Sequence, residues 1–248
     1  MHEPIIEFID IHKSFNDNKV LNGIDLAIYR GETITIMGGS GIGKSVLLKL
    51  LLGLMRPDKG RILFEGKDIA TMNEGEFIGI RKKIGMLFQG SALFDSLTVY
   101  ENVAYALREH LNLKEEEIKE RVREKLGLVG LEDVEDKKPA ELSGGMKKRV
   151  GLARAIAIEP EVILYDEPTT GLDPTNSRRI NSLIKELQRV LKVTSIVVTH
   201  DIESAYEVSD RIALIYEGRI KKAGAVKDFK STDDEVVADF LNGTMESA

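Results

Sequence analysis

The sequence predicts an α/β fold with a helical segment inserted at about 90–160, and three observations carry that expectation. Short alternating or wholly apolar runs recur along the chain at strand length. A glycine cluster at 38–43 stands between one such run and an almost entirely apolar helix. From Ser96 to about Pro160 the texture changes from strand to helix.

Taken in order, Ile5–Ile11 alternates apolar and polar residues as a half-buried strand, and Asn16-Asp17-Asn18 turns the chain into a second alternating run, Val20–Ile28. After Gly31 comes the β-rich stretch Glu32–Met37. Lys44–Leu54 is apolar nearly all round, which requires burial on most sides, and Gly53 and Pro57 stop it. Arg61–Phe64 and Ile84–Phe88 are further short strands. Thr98-Val99-Tyr100-Glu101 is a capping box opening a helix with Val99, Val103 and Leu107 on one face. Lys114–Leu126 is charge-rich and reads as a helix with a solvated face. Ser143 caps a helix to about Ile158, Val162–Tyr165 is a continuous apolar strand, and Asp173-Pro174 is an N-cap followed by proline at the first helical position. Strand Val193–Thr199, a hairpin of Arg211–Tyr216 with Arg219–Ala223, and a tail helix over Asp233–Leu241 complete the chain. Thr232 with Glu235 offers the tail a capping box, and its apolar face, Val236, Val237, Phe240 and Leu241, suits docking on its own domain or on a partner.

Composition bounds the function. The 248 residues are 42% hydrophobic and 31% charged, as in an ordinary globular protein. Lys and Arg number 35 against 41 Asp and Glu, for a net charge of −6, so no general basic surface serves nucleic acid. Cysteine is absent, which excludes disulfides, thiol catalysis and Cys-ligated zinc; the four His residues (2, 12, 110, 200) show no metal-ligand spacing. No apolar run approaches the roughly 18 residues that span a bilayer. The N-terminus lacks a basic segment followed by an apolar one, so the expected location is cytoplasmic.

Three motifs carry chemistry. Gly38-Gly39-Ser40-Gly41-Ile42-Gly43-Lys44-Ser45 fits G-x-x-x-x-G-K-[ST], a loop whose backbone N–H groups turn toward phosphate oxygens. In it Lys44 reaches the β- and γ-phosphates and the Ser45 hydroxyl ligates Mg²⁺. The strand Val162–Tyr165 delivers Asp166 to the Mg²⁺ shell and leaves Glu167 just past its end, where a base for the attacking water belongs. Leu142-Ser143-Gly144-Gly145-Met146 puts a capping serine and two glycines at a helix start, either a second anion cradle or a flexible helix entrance. One small nucleotide site does not need two cradles in one chain, whereas two chains arranged head to tail use both.

These motifs, in this order, resemble the nucleotide-binding domain of ABC transporters over nearly the whole chain, with Gln89 after a strand, Gly171-Leu172-Asp173 as D-loop and His200 after Thr199. The resemblance implies a P-loop NTPase of ABC type, with a mixed sheet core about 1–89 and 161–225, an N-terminal antiparallel β part and a helical subdomain at about 90–160. It implies ATP and Mg²⁺ as ligands, bound through residues 38–45, with Phe15 stacking on adenine unless it is a core residue. Gln89 then contacts Mg²⁺ or the attacking water, His200 touches the γ-phosphate, and Asp173 serves both the D-loop and its helix N-cap. Ser143, Gly144 and Gly145 close on the nucleotide of a second copy in a head-to-tail dimer sandwiching two ATP. Glu167 acts on water.

Met146 departs from the commoner LSGGQ. With 85–94, Asn102-Val103-Ala104 and Leu164–Pro168 it resembles the ATPase subunit of MCE-linked phospholipid transporters of the lipid-asymmetry type. That resemblance implies two transmembrane permease subunits, an MCE-domain lipid-binding protein, a small regulatory subunit, no nucleic acid, and a peripheral position on the cytoplasmic face of the inner membrane. A solute importer or exporter is the alternative. A soluble clamp ATPase is disfavoured, because the segment between Lys44 and Ser143 has no room for a long coiled coil.

Overall fold

The computed structural model describes residues 3–244. In chain order its elements are β1 (Pro4–Phe15), β2 (Asn18–Tyr29), β3 (Thr33–Met37), α1 (Lys44–Leu51), β4 (Lys59–Phe64), β5 (Lys67–Asp68), α2 (Glu74–Arg81), β6 (Ile84–Leu87), α3 (Val99–His110) and α4 (Glu115–Leu128). They continue with α5 (Gly144–Ala155), β7 (Val162–Asp166), α6 (Pro174–Leu191), β8 (Thr194–Thr199), α7 (Ile202–Val208), β9 (Arg211–Tyr216), β10 (Arg219–Ala225), α8 (Val226–Lys230) and α9 (Glu235–Asn242). The chain divides into two compact units, Met1–Arg81 with Ile196–Ala248, and Lys82–Ser195.

In the first unit, β1 and β2 form a long antiparallel hairpin, with Phe8 opposite Leu26 and Phe15 opposite Asn18. The strand order of that sheet is β2-β1-β4-β5. Beside it β3 runs parallel to β9, Met37 opposite Leu214, and β10 returns antiparallel, so this part of the core is mixed. All five residues of β3 are buried, as a central strand flanked on both faces requires. The tail helix α9 docks on the same unit: Val237 is buried in a cluster with Met37, Ile212, Leu214 and Phe229, and Phe240 and Leu241 pack against it. Docking on its own domain is thus the arrangement found.

Two boundaries differ from expectation. Helix α1 ends at Leu51, and Leu54 is 58% exposed rather than buried. The cause is Gly53, which takes a φ of 65° and lies against the Phe77 ring, so the chain leaves the helix early. The tail helix is capped by Asp234, whose Oδ1 accepts from the Val237 N–H at 3.2 Å. Thr232 instead accepts from Lys222 Nζ at 2.8 Å. Helices α2, α7 and α8 are short and were not anticipated by periodicity.

In the second unit β6 and β7 run parallel, with Leu87 opposite Tyr165. The capping box at Thr98 forms as read, Glu101 N–H donating to Thr98 Oγ1 and Thr98 N–H to Glu101 Oε2. Helix α4 presents Glu116 and Glu120 to solvent but buries Lys125, whose ammonium lies 2.8 Å from Glu124 and 3.0 Å from Glu159. The unit is wider than residues 90–160, because α5 packs on β6 and α6 as well as on α3 and α4. The ends of the strands that carry Gln89 and Asp166 therefore belong to the same unit as the helices. Among the described residues no helix is long and apolar enough to cross a membrane.

Asn102, fully buried on α3, holds the segment in front of that helix. Its Oδ1 accepts from Phe94 N–H at 2.8 Å, and its Nδ2 donates to the carbonyls of Phe94, Leu97 and Thr98. Asn102→Ala removes the side-chain partner of those main-chain groups, among them the Phe94 N–H, at a cost of about 1–3 kcal/mol. Thermal denaturation should show Tm lowered by several degrees with the fold retained.

Candidate functional site

The glycine loop of the first unit leaves β3 where a side chain cannot fit. A Cβ on Gly38 would lie 2.9 Å from the Ile215 carbonyl, and one on Gly43, at φ 103°, would lie 2.7 Å from Val20. Around Gly39 and Gly41, by contrast, a Cβ would meet nothing within 4 Å, so the loop's outer face is open. Lys44, only 6% exposed, donates from Nζ to the carbonyls of Gly38 and Gly39 at 2.8 Å each. Helix α1 has Gly43 as its N-cap, with no side-chain cap and no acidic residue in its first turn, which keeps its positive end available to an anion. A cavity of about 550 Å³ opens beside the loop, lined in part by Val20, Ser40, Gly41, Ile42, Tyr216 and Phe240. These features fit the polyphosphate of a nucleotide.

Two other residues of this unit were singled out by sequence. Phe15, at the end of β1, is 41% exposed, so it is no core residue, and Lys13 Nζ stands 5.7 Å from its ring centroid. His200 is exposed directly after β8, and the next residue, Asp201, caps α7 by accepting from Ser204 N–H at 3.2 Å.

The second unit holds the other residues. Ser143 caps α5, its Oγ accepting from Met146 N–H at 3.3 Å, and Ser143 and Gly144 are exposed. The first turn of α5 also carries no acidic side chain, whereas α3 and α4 both do. Its N-terminus therefore suits an anion for the same reason as that of α1. Gly145 is pressed against Asn176: a Cβ there would lie 2.7 Å from Asn176 Oδ1. Asn176 is itself held by Asp173, donating from Nδ2 at 2.5 Å. That amide, with the Asn176 and Thr175 N–H groups behind it, keeps the Asp173 carboxyl below its ordinary pKa.

Asp166 ends β7 and Glu167 follows it, buried to 9% exposure and at a φ of 47°. That left-handed conformation costs a non-glycine residue roughly 1–3 kcal/mol and re-aims the chain sharply at the strand end. Thr170 Oγ1 donates to Glu167 Oε2 at 3.2 Å. Gln89 is exposed two residues beyond the last paired residue of β6. Among the described residues no cluster of three His, Cys, Asp or Glu could hold a metal. Ser45 lies in the first turn of α1 in the first unit and Asp166 ends β7 in the second; a hydroxyl and a carboxylate are each the kind of oxygen donor that Mg²⁺ takes.

Sequence reasoning missed what binds the second-unit residues together. Lys148 donates to the carbonyls of Gln89 and Glu167, and Arg154 to those of Ser91 and Ala92 at 2.8 and 2.6 Å. Both cations sit in α5, the helix that the serine–glycine motif opens, and the local pattern gives no sign of their carbonyl partners. Burial pushes the pKa of each down, and for Lys148 the carboxylates of Asp166 and Glu167 act in the opposite sense.

With a glycine loop and a serine–glycine segment each opening a helix, and an Asp-Glu strand end, the chain belongs to the ABC transporter family, whose model matches residues 21–170. Among curated relatives it is 42% identical, over 96% of its own length, to the probable ribonucleotide transport ATP-binding protein mkl of Mycobacterium tuberculosis, but spans only 66% of that protein. It is 41% identical to the intermembrane phospholipid transport system ATP-binding protein MlaF of Haemophilus influenzae, covering 98% of this chain and 92% of that one. Among solved structures, the dimeric post-hydrolysis state of the ATP-binding cassette MJ0796 bound to ADP and Pi matches with a TM-score of 0.82. That match has 33% identity and covers 89% of this chain and 98% of the other.

The close fit at Gly145 gives a prediction. Gly145→Ala should lower Tm by forcing Asn176 from its place on Asp173, an overpacking cost of about 1–3 kcal/mol. Adding Asn176→Ala to the same chain removes the obstacle and should return most of the loss in a calorimetric comparison of the two single variants and the double variant.

Proposed function

We infer that this chain is the ATP-binding and ATP-hydrolysing subunit of a membrane ABC transporter, and that its cargo is a phospholipid or a related lipid. The observation that carries the reading is the complete residue set, Lys44, Ser45, Gln89, Asp166, Glu167 and His200, in a chain that corresponds almost end to end to a phospholipid-transport ATPase. In this reading the N–H groups of residues 38–45 and the Lys44 ammonium bind the β- and γ-phosphates. Phe15 stacks on the base, and the oxygens of Ser45, Gln89 and Asp166 are the ligands for Mg²⁺. When bound, Mg²⁺ neutralises charge that develops on the phosphates during transfer. Glu167 accepts the proton of the attacking water, and His200 holds the γ-phosphate against it.

The signature Ser143-Gly144-Gly145 has no second phosphate in its own chain to serve, so its anion is the nucleotide of a second copy, and the working unit is a head-to-tail dimer. That a cassette at 33% identity is dimeric in its post-hydrolysis state supports this. Two permease subunits in the membrane are the further partners, together with an MCE-domain lipid-binding protein and a small regulatory subunit. The dimer then lies on the cytoplasmic face of the membrane. A cavity of about 340 Å³ in the second unit, bordered by the exposed side chains of Phe88, Phe94 and Tyr105, is the surface to which a permease element fits. Transport of a soluble solute is the second reading, favoured by the 42% identity to a protein named for ribonucleotide transport. The phospholipid reading has the better support, because the relative named for it is matched over nearly its whole length.

Glu167→Gln should keep ATP affinity, abolish measurable hydrolysis and trap an ATP-dependent dimer in size-exclusion chromatography. Hydrolysis near the wild-type rate would remove Glu167 as the base. Purification from gently solubilised native membranes, with mass spectrometry, should recover a permease, an MCE-domain protein and phospholipid. A permease accompanied by a solute-binding protein would overturn the cargo.

A further inference from the structure

We propose that Lys148 is a positioning residue that sets Gln89 and Glu167 jointly for hydrolysis, and so links the signature helix of a chain to the catalytic groups of that same chain. The proposal rests on the reading of Glu167 and Gln89 given above and goes beyond it, because Lys148 has no part in binding nucleotide or metal there.

Strands β6 and β7 lie side by side with Leu87 opposite Tyr165. Gln89 and Glu167 are each two residues further on, at the same level of the sheet's edge. Lys148 is 4% exposed, and its Nζ reaches the main-chain carbonyls of both residues, the second at 3.3 Å. One ammonium therefore ties together the exits of two adjacent strands, each of which releases a chemically active side chain. The acceptors are carbonyls, not carboxylates, so Lys148 fixes where the two side chains originate without forming a salt bridge that would occupy Glu167.

Holding the Glu167 carbonyl matters because that residue is in the left-handed region, a conformation that persists only when its surroundings dictate it. The cation is also costly to bury on two neutral carbonyls alone, and the nearby carboxylates of Asp166 and Glu167 offset part of that cost. A hydrophobic residue would pack helix α5 on the sheet without this penalty. An ammonium retained in such a place is consistent with a requirement for its hydrogen bonds.

The placement of Lys148 along α5 adds the link. It lies five residues after Ser143, about a turn and a half along the helix. Arg154, further on, holds the carbonyls of Ser91 and Ala92, both of which are also left-handed. The helix whose first residues meet the second copy's nucleotide therefore grips the main chain from 89 to 92 and the carbonyl of Glu167. A shift of the signature helix on engaging one nucleotide is thereby passed to the base and the Gln serving the other.

The test uses the full chain, purified with its membrane partners, and compares wild type, Lys148→Met, Lys148→Gln and Glu167→Gln. Methionine keeps the unbranched bulk and loses every donor; glutamine restores a donor without charge. Lys148→Met should lower kcat at least tenfold while KM for ATP and Tm stay within twofold and a few degrees, respectively, and Lys148→Gln should regain part of kcat. In wild type, hydrolysis should depend cooperatively on ATP concentration, and Lys148→Met should bring the Hill coefficient toward one. Turnover by Lys148→Met within twofold of wild type overturns the proposal. So does a loss of Tm and ATP affinity in proportion to kcat in both variants, which marks simple packing. Residual hydrolysis in Glu167→Gln near the wild-type rate sinks the reading of the base itself, a separate failure that shows at once in this comparison.

Discussion

A phosphate-binding loop has to bring main-chain donors to an anion without side chains in the way, and the first unit is built around meeting that demand. At Gly38 the chain passes so close to the Ile215 carbonyl that a β-carbon is excluded, and at Gly43 it passes as close to Val20. The two contacts pin both ends of the loop while its middle stays open. Strand β3 can present the loop rigidly only because all five of its residues are buried, with β9 paired beside it and α9 packed behind Met37. The lysine that follows bonds to the loop's own carbonyls, so the cation is in place among the same few residues.

The second unit meets a comparable demand by different means. The serine–glycine segment Ser143-Gly144-Gly145 is again a helix start free of acidic residues, but what surrounds it is held by cations bonded to carbonyls. Lys148 and Arg154 from α5, with Arg149 donating to the Gly130 carbonyl at 2.6 Å, fasten three separate turns of main chain to one helix. Hydrogen bonds from charged donors are stronger than neutral ones, and buried ones are lost only with difficulty. One helix of the unit thus clamps main chain that is remote from it in sequence.

Local features were legible in the sequence and remote ones were not. The glycine loop, the capping box at Thr98, Asp173-Pro174 and the Asp166-Glu167 strand end are all specified by neighbouring residues, and each stands in the structure where the pattern placed it. Leu54 was misjudged because a ring from another helix, Phe77, fills the space at Gly53. The burial of Lys125 and Lys148 was not legible, because nothing near them in sequence announces Glu159 or the Gln89 carbonyl. Their partners lie tens of residues away, and a basic residue in a charged helix is ordinarily exposed. Asp234 displaced Thr232 as the tail's cap for a similar reason, since Lys222 claims the threonine hydroxyl.

The first unit is discontinuous in the chain, which sets a schedule for its birth. The apolar residues of β3 are made early, but β9, which pairs with them, and α9, which backs them, come only after all of Lys82–Ser195. At ribosomal rates of about 5–20 residues per second, that interval is on the order of ten to thirty seconds. Throughout it, Ile34, Ile36 and Met37 wait for their neighbours beside a hairpin that can already form. The glycine loop is therefore made well before the strand and the helix that hold it rigid. The nascent chain has its recognition sequence long before it has a scaffold able to hold that sequence in shape.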